Sequence, residues 1–212
     1  SKSYRDTIFN EFSRGDLDFS IQYLTEKKVL ALIEKNIENI RTKNIALVGG
    51  LFANVKLNQR IKELGFRNIF IQPAMGDDGL SYGAVLWKLG QENNLKPQQL
   101  KDVYFGTEYS QEEIKKAIDE SKLKAVYHED IEEVTAELIS KNKIVARFSG
   151  RMEHGPRALG NRSILYQAID PAINDWLNKR LNRSDFMPFA PVTLSEYAKK
   201  CYKNVDAGIY PA

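Results

Sequence analysis

The sequence predicts an α/β protein in two parts, and three patterns indicate this. In the first half, a short apolar segment, a glycine loop and an amphipathic segment follow one another twice, which is the order of a layered α/β fold. Residues 91–102 are polar, show no apolar period and contain a proline, so we expect a linker there. A second series of short apolar and helical segments follows. We therefore predict one domain over residues 1–95 and another over residues 103–212.

The first predicted element is a helix that packs on a core. Residues 18–41 alternate apolar and charged side chains at helical spacing. The apolar positions fall on one face of such a helix. They are Val29, Leu30, Ile33, Ile37 and Ile40.

Two strand–loop–helix units are predicted next. NIALVGG, residues 44–50, reads as a short buried strand, and the amphipathic helix after it ends at Gly65. Residues 67–73 form a second strand stopped by Pro73, and the loop AMGDDG leads into a helix with the sequence LSYGAVLWKLGQ. This order places both glycine-bearing loops directly after strands.

The second half repeats short strands and helices. Ser110 followed by Glu113 is a capping-box signature for a helix start. We predict strands over 103–106, 124–130 and 143–150, and helices over 110–122, 131–142 and 173–182. The last of these strands leads into an arginine-rich stretch.

Composition limits the class of protein. The chain of 212 residues has 42% hydrophobic and 28% charged residues, which is ordinary for a globular protein. The net charge of +3 argues against a general nucleic-acid binder. No apolar run approaches the roughly 20 residues that span a bilayer, so no membrane association is expected.

Cysteine and histidine are scarce. Cys201 is the single cysteine, so an internal disulfide is excluded, and the low cysteine count fits a cytoplasmic location. With His128 and His154 as the two histidines, a His-rich metal cluster is excluded within the chain. The first residue is not methionine and the chain stops without a helix cap, so we expect a fragment of a longer protein.

A glycine loop follows the first predicted strand. Gly49 and Gly50 there would let backbone N–H groups approach a ligand, and Asn54 could contact a base or ribose. The same glycines also suit an ordinary turn. The loop matches neither G-x-G-x-x-G nor a P-loop.

Paired aspartates follow the second strand. Asp77 and Asp78 stand between glycines at a helix start, where a carboxylate serves either a hard cation or the helix N-cap. Neighbouring loop residues often point apart, so at most one needs to face a metal. Its other ligands would have to lie outside this chain.

The stretch GRMEHGPRALGNRSIL, residues 150–165, concentrates arginine with Gly, Pro, Asn and Ser. Guanidinium groups bind phosphate and carboxylate oxygens in a bidentate manner, so the stretch suits a small anionic ligand that carries phosphate. The alternative is a set of surface arginines paired with acids. The donors are Arg147, Arg151, Arg157, Asn161, Arg162 and Ser163, with Arg183 from the nearby segment NRSDFMPFAP.

The arginine stretch closely resembles the signature of the nodulation- and antibiotic-type O-carbamoyltransferases. VGGLFANVKLNQRI, PAMGDDGLSYGA and MPFAP resemble further stretches of that family in the same order, and the resemblance covers roughly residues 20–200. It implies the end of an actin/sugar-kinase-like (ASKHA) transferase domain, followed by a smaller α/β domain similar to the threonylcarbamoyl-adenylate synthases. It also implies that the remaining N-terminal half lies upstream.

The resemblance further implies the reaction. ATP and carbamoyl phosphate would give carbamoyl-adenylate, and a carbamoyl group would pass to a hydroxyl of a small-molecule or sugar acceptor. An iron-type divalent metal or Mg²⁺ is implied in the first domain. The chain alone would be inactive or only partly active.

Site residues carry over position by position. The resemblance implies nucleotide contact by Gly49, Gly50 and Asn54, metal binding by Asp77, catalytic contacts by Arg157, Arg162 and Ser163, and substrate contacts by Arg151, Asn161 and Arg183. Glu153 and His154 are expected to be structural. The chain departs from the family pattern at Leu181 and Met187, where many members have lysine and arginine.

Two other functions stay open at this point. An ASKHA-type sugar kinase or ATPase fragment explains the two glycine loops but not the arginine signature. A nucleic-acid module that uses the arginines on phosphates conflicts with the near-balanced charge.

Overall fold

The protein is a mixed α/β chain. The computed structural model describes residues 11–37, 39, 42–93, 96, 100–182 and 189–203. It divides into two compact units, with the boundary between residues 98 and 99. Three residues singled out from the sequence, Ile40, Arg183 and Met187, lie outside the described residues.

Among its described residues, the first unit combines three helices with two strands. They are α1 (Arg14–Ile37), β1 (Asn44–Leu47), α2 (Val55–Glu63), β2 (Asn68–Ile71) and α3 (Asp78–Asn93), with a 3₁₀ turn over Gly50–Ala53 between β1 and α2.

The second unit has four helices and two strands among its described residues. They are α4 (Gln111–Ser121), α5 (Ile131–Ser140), β3 (Val145–Phe148), β4 (Arg162–Leu165), α6 (Ala172–Arg180) and α7 (Ala198–Cys201), with a 3₁₀ turn over Ser195–Tyr197.

Helix α1 packs through the face that the sequence predicts. It begins earlier than expected because Ser13 Oγ accepts a hydrogen bond from the N–H of Asp16 at 3.2 Å, which caps the helix. Its half-buried residues on the core are Val29, Leu30, Ile33 and Ile37. The predicted core-packing role of this helix is thereby confirmed.

The core of the first unit lies between this helix, α2 and the sheet. β1 and β2 are parallel, with Ile45 opposite Ile69 and Leu47 opposite Ile71. A parallel pair requires a crossover, which the 3₁₀ turn and α2 supply. The buried residues are Leu47, Leu57, Ile61, Phe66, Ile69, Ile71 and Met75.

The second unit is built around an antiparallel strand pair. β3 pairs with β4 in a register that places Val145 opposite Leu165 and Arg147 opposite Ser163. Helix α4 begins with the predicted capping box: Ser110 Oγ accepts from the N–H of Glu113, and the Glu113 carboxylate accepts from the N–H of Ser110. The capping box and β3 agree with local sequence signals, whereas β4 was not predicted.

Two predicted strands of the second unit are wrong. Residues 124–130 form no strand, and Val126 and Tyr127 are 76% and 87% exposed. No described strand pairs with them, so their β-branched and aromatic residues lack the packing that a sheet would provide. Residues 103–106 also form no strand. They lie alongside the arginine stretch, where the N–H of Gly106 donates to the carbonyl of Met152 and the N–H of His154 donates to the carbonyl of Val103.

Among the described residues, no helix combines the length and the apolarity needed to span a lipid bilayer.

Gly79 provides a test of how closely α3 approaches the aspartate loop. A Cβ at Gly79 would lie 2.0 Å from the carbonyl oxygen of Ala74, whereas a Cβ at Gly83 in the same helix would have no neighbour within 4 Å. We expect Gly79→Ala to lower the free energy of unfolding, because the backbone must shift. Gly83→Ala should raise it by roughly 0.5–1 kcal/mol, because alanine has the higher helix propensity.

Urea denaturation followed by circular dichroism measures both variants. Equal effects of the two substitutions would contradict the close approach at Gly79.

Candidate functional site

The glycine loop and the aspartate loop lie side by side after the parallel strands. The N–H of Gly49, just after β1, donates to the carbonyl of Met75 at 2.8 Å. The N–H of Gln72, just after β2, donates to the carbonyl of Leu47 at 3.1 Å. Open α/β sheets bind their ligands outside the carboxyl ends of the strands. The first unit thus joins the two sequence-predicted loops at the edge where a ligand is expected.

Gly49 and Asn54 also have structural roles in this loop. Gly49 has φ of 115°, a conformation that glycine adopts easily and other residues do not. The Oδ1 of Asn54 caps α2 by accepting from the N–H of Leu57 at 3.0 Å, and its Nδ2 donates to Gln22 Oε1 at 2.7 Å. The nucleotide contacts predicted for Gly49, Gly50 and Asn54 stay predictions.

The aspartates mark the start of α3. Asp78 is the first residue of the helix, Asp77 precedes it, and both are exposed. Across the described part of the chain, no three His, Cys, Asp or Glu side chains are grouped so that they could hold a metal ion. A hard cation takes six or more oxygen ligands, so these residues do not form a metal centre by themselves. Metal binding by Asp77 stays a prediction.

The arginine stretch forms the long connection between β3 and β4. Side chains directly opposite in an antiparallel pair share one face, and successive side chains alternate. Arg147 and Ser163 are opposite, so they share one face, and Phe148 and Arg162 share the other. The adjacent residues Arg162 and Ser163 therefore lie on opposite faces of the strand pair.

The guanidinium of Arg162 is bound within the loop. Its Nη1 donates to the carbonyls of Ser149 at 2.9 Å and Asn161 at 3.0 Å. Its Nη2 donates to the carbonyls of Gly150 at 3.1 Å and Thr107 at 3.3 Å. The group also lies 3.5 Å from the centre of the Phe148 ring, within cation–π distance. Arg162 thus ties together both ends of the loop.

Glu153 is buried inside the same loop. Its Oε1 accepts from the backbone N–H groups of Asn161 at 2.7 Å, Leu159 at 2.9 Å and Arg162 at 3.0 Å. Burial alone would raise the pKa of Glu153, but the hydrogen bonds from these amides more than offset it, and the pKa lies below its usual range. The carboxylate is therefore held in its charged form, which agrees with the structural role expected for Glu153.

The other predicted site residues are distributed around this framework. Arg151 is exposed and Arg157 is half-buried. Asn161 Nδ2 donates to the carbonyl of Arg151 at 2.7 Å, and the buried Ser163 accepts at Oγ from the N–H of Gly160 at 2.8 Å. The predicted ligand contacts of these residues stay predictions.

The segment 103–107 supports the loop from outside, a role that the sequence analysis did not predict. Tyr104 donates its hydroxyl hydrogen to the carbonyl of Leu159 at 2.9 Å, and the N–H of Gly106 donates to the carbonyl of Met152 at 2.9 Å. A Cβ at Gly106 would lie 2.6 Å from that of Met152. The one local signal was a glycine directly after an aromatic pair.

Comparison with known protein families identifies both halves of the chain. The model of the carbamoyltransferase N-terminus matches residues 2–86, and the model of the carbamoyltransferase C-terminus matches residues 136–210. The two matches together cover most of the chain.

Individual relatives agree with this result. The chain is 38% identical over 204 residues to an uncharacterized protein of Methanocaldococcus jannaschii, which covers 89% of this chain and 33% of the relative. It is 31% identical over 201 residues to nodulation protein NolNO of Sinorhizobium fredii, covering 91% of this chain and 29% of the relative. It is 34% identical over 160 residues to nodulation protein U of that species, covering 74% and 27%. The chain thus spans about a third or less of each relative.

Glu153→Gln tests the charged state of the buried carboxylate. Because the folded-state pKa of Glu153 is below its unfolded value, the charge stabilises the fold above the unfolded pKa, and this stabilisation is lost as the pH falls through the folded pKa. We expect the variant to be less stable than wild type by about 1–3 kcal/mol at pH 7. The difference should narrow below about pH 4.

Urea denaturation at pH 7, 5, 4 and 3 measures the difference, with the exposed Glu108→Gln as the control that removes one carboxylate from the same unit. If the difference in free energy of unfolding between wild type and Glu153→Gln stays constant from pH 7 to pH 3, the charge of Glu153 does not stabilise the fold.

Proposed function

The chain belongs to the carbamoyltransferase family, and from this premise we propose that it takes part in ATP-dependent transfer of a carbamoyl group from carbamoyl phosphate to a hydroxyl. The observation that carries the proposal is the arginine loop. It holds the exposed Arg151 and the half-buried Arg157 on a backbone fixed by internal hydrogen bonds. Guanidinium groups on such a framework suit a ligand with phosphate groups.

The proposed activation step brings two anions together. Carbamoyl phosphate, ATP and water give carbamoyl-adenylate, pyrophosphate and phosphate. Positive charge from Arg151 and Arg157 offsets the repulsion between the phosphates, while the fixed backbone keeps the groups oriented. The catalytic contacts predicted for Arg157 and Ser163 and the substrate contacts predicted for Asn161 and Arg183 belong to this step. Arg162 instead donates to backbone carbonyls of its own loop, so its part in this step is to hold the loop in shape.

The proposed transfer step consumes the carbamoyl-adenylate. The acceptor hydroxyl oxygen attacks the carbamoyl carbon and its proton passes to water, while the bond from that carbon to the AMP oxygen breaks and AMP leaves. The acceptor class that fits is a hydroxylated small molecule or a sugar. This step conserves atoms and needs no oxidant or reductant.

We assign activation to the second unit and transfer to the first. The second unit would be similar to threonylcarbamoyl-adenylate synthases, and the first would be part of an ASKHA domain. The N-terminal family model matches residues 2–86 and the C-terminal one matches residues 136–210, and the assignment of the two steps to these halves rests on the resemblance. Gly49, Gly50 and Asn54 would bind the nucleotide in the first unit.

The transfer function would require more polypeptide than this chain. A parallel sheet is normally covered on both faces, yet the sheet described for the first unit has two strands, and α3 exposes Leu80, Val85 and Trp87. We propose that the N-terminal half of the family polypeptide covers these side chains and supplies the other ligands to a divalent metal beside Asp77.

Arg157→Ala tests the proposal by ligand titration. We expect the wild-type chain to bind carbamoyl phosphate and ATP, and the variant to bind carbamoyl phosphate about ten- to a hundredfold more weakly, because a charge-assisted contact is lost. Isothermal titration calorimetry measures both ligands.

The matched control is Arg67→Ala, which removes an exposed arginine from the first unit. Equal affinity of wild type and Arg157→Ala would refute a phosphate contact at Arg157. Exchange of labelled pyrophosphate into ATP that depends on carbamoyl phosphate, assayed with the longer family polypeptide, separates this function from a sugar kinase.

A further inference from the structure

The arginine loop contains its own internal anion. The single oxygen Oε1 of Glu153 receives the backbone N–H groups of Leu159, Asn161 and Arg162 within 3.0 Å. Converging amides of this kind otherwise form a binding site for an external anion. Here the Glu153 side chain, 7% exposed, occupies that position.

The same loop contains its own internal cation. The four Nη hydrogens of Arg162 match four backbone carbonyls, those of Ser149, Asn161, Gly150 and Thr107. A lysine has one nitrogen and cannot reach four carbonyls arranged around a planar group. The contact with Thr107 also joins the loop to the segment that supports it.

The strand register adds an independent observation. Arg162 lies opposite Phe148, and its guanidinium lies over that ring, whereas Ser163 lies opposite Arg147 on the other face. A ligand that contacts Ser163 therefore lies on one face of the β3–β4 pair, and the Arg162 side chain lies on the opposite face. The two adjacent residues serve different purposes.

We infer that Glu153 and Arg162 are positioning residues for the carbamoyl-phosphate site, and that Arg151 and Arg157 carry the charge that faces the ligand. The inference deepens the proposed function and rests on it. Glu153 accepts hydrogen bonds from the amides at the end of the loop, and Arg162 donates its Nη hydrogens to backbone carbonyls. The loop is thus fixed in shape before any ligand arrives, which reduces the ordering cost of binding.

Two charge-preserving variants, Arg162→Lys and Arg157→Lys, test this inference together with Glu153→Gln. Amide hydrogen exchange, followed by NMR at residues 159, 161 and 162, reports the shape of the loop. Calorimetric titration with carbamoyl phosphate reports the site. Amide exchange in α4 and α5, which belong to the same unit but lie outside the loop, shows whether that unit is folded in each variant.

We expect Glu153→Gln and Arg162→Lys to speed exchange at these amides by about tenfold or more and to weaken binding by about tenfold, since each breaks charge-assisted hydrogen bonds. Arg157→Lys should leave the exchange unchanged and weaken binding by less than Arg157→Ala does.

Faster exchange with unchanged affinity in Glu153→Gln would overturn the positioning role, and so would unchanged exchange in both Glu153→Gln and Arg162→Lys. Weak binding in Arg162→Lys with normal exchange would make Arg162 a ligand contact instead. Failure of the wild-type chain to bind carbamoyl phosphate would count against the proposed function. The exchange measurements need no ligand, so they test the effect of Glu153 and Arg162 on the loop separately.

Discussion

The buried carboxylate of Glu153 is the constraint on which the arginine loop depends. Three arginines within twelve residues repel one another, and a connection of this length leaves backbone amides that need acceptors. Glu153 supplies both a negative charge and an acceptor, because its Oε1 accepts three amide hydrogens. Its negative charge lies within the same stretch as the positive charges of the arginines, so it offsets part of their mutual repulsion.

The first unit solves a different problem, the close approach of two loops after a parallel strand pair. The N–H of Gly49 bonds the carbonyl of Met75, and α3 comes so near to residue 74 that only glycine fits at position 79. Such contacts set the spacing between the glycine and aspartate loops. Since the helix cap at Asn54 fixes the other side of the glycine loop, hydrogen bonds hold this loop on both sides.

Local signals predicted the parts of the fold that local forces decide. The apolar face of α1, the capping box at Ser110 and the approximate positions of β1 and β2 all follow from periodicity or a cap. The prediction of a strand at 124–130 was wrong because a strand needs a neighbouring strand to pair with, and a local sequence pattern does not show whether one is present. β4 was missed because it lies inside the signature, where glycines and arginines conceal the strand pattern.

The sequence predicted the candidate site only by its residue types, and its ligand contacts stay predictions. The residue types of the signature indicated an anion-binding loop, but which guanidinium is turned inward depends on the register of β3 and β4. That register is a tertiary fact, and so are the amides that converge on Glu153. The support from Tyr104 joins residues 55 positions apart, beyond the reach of any local pattern.

The antiparallel register also restricts how the signature can vary in length. Because side chains alternate along β4, a shift of the pairing by one residue would exchange the two faces. After such a shift, Ser163 would share a face with Phe148, and Arg162 would share a face with Arg147. A single inserted or deleted residue in the connection is tolerable only where it can be absorbed without moving the strands, so the number of residues between the strands is as much a part of the motif as their chemistry.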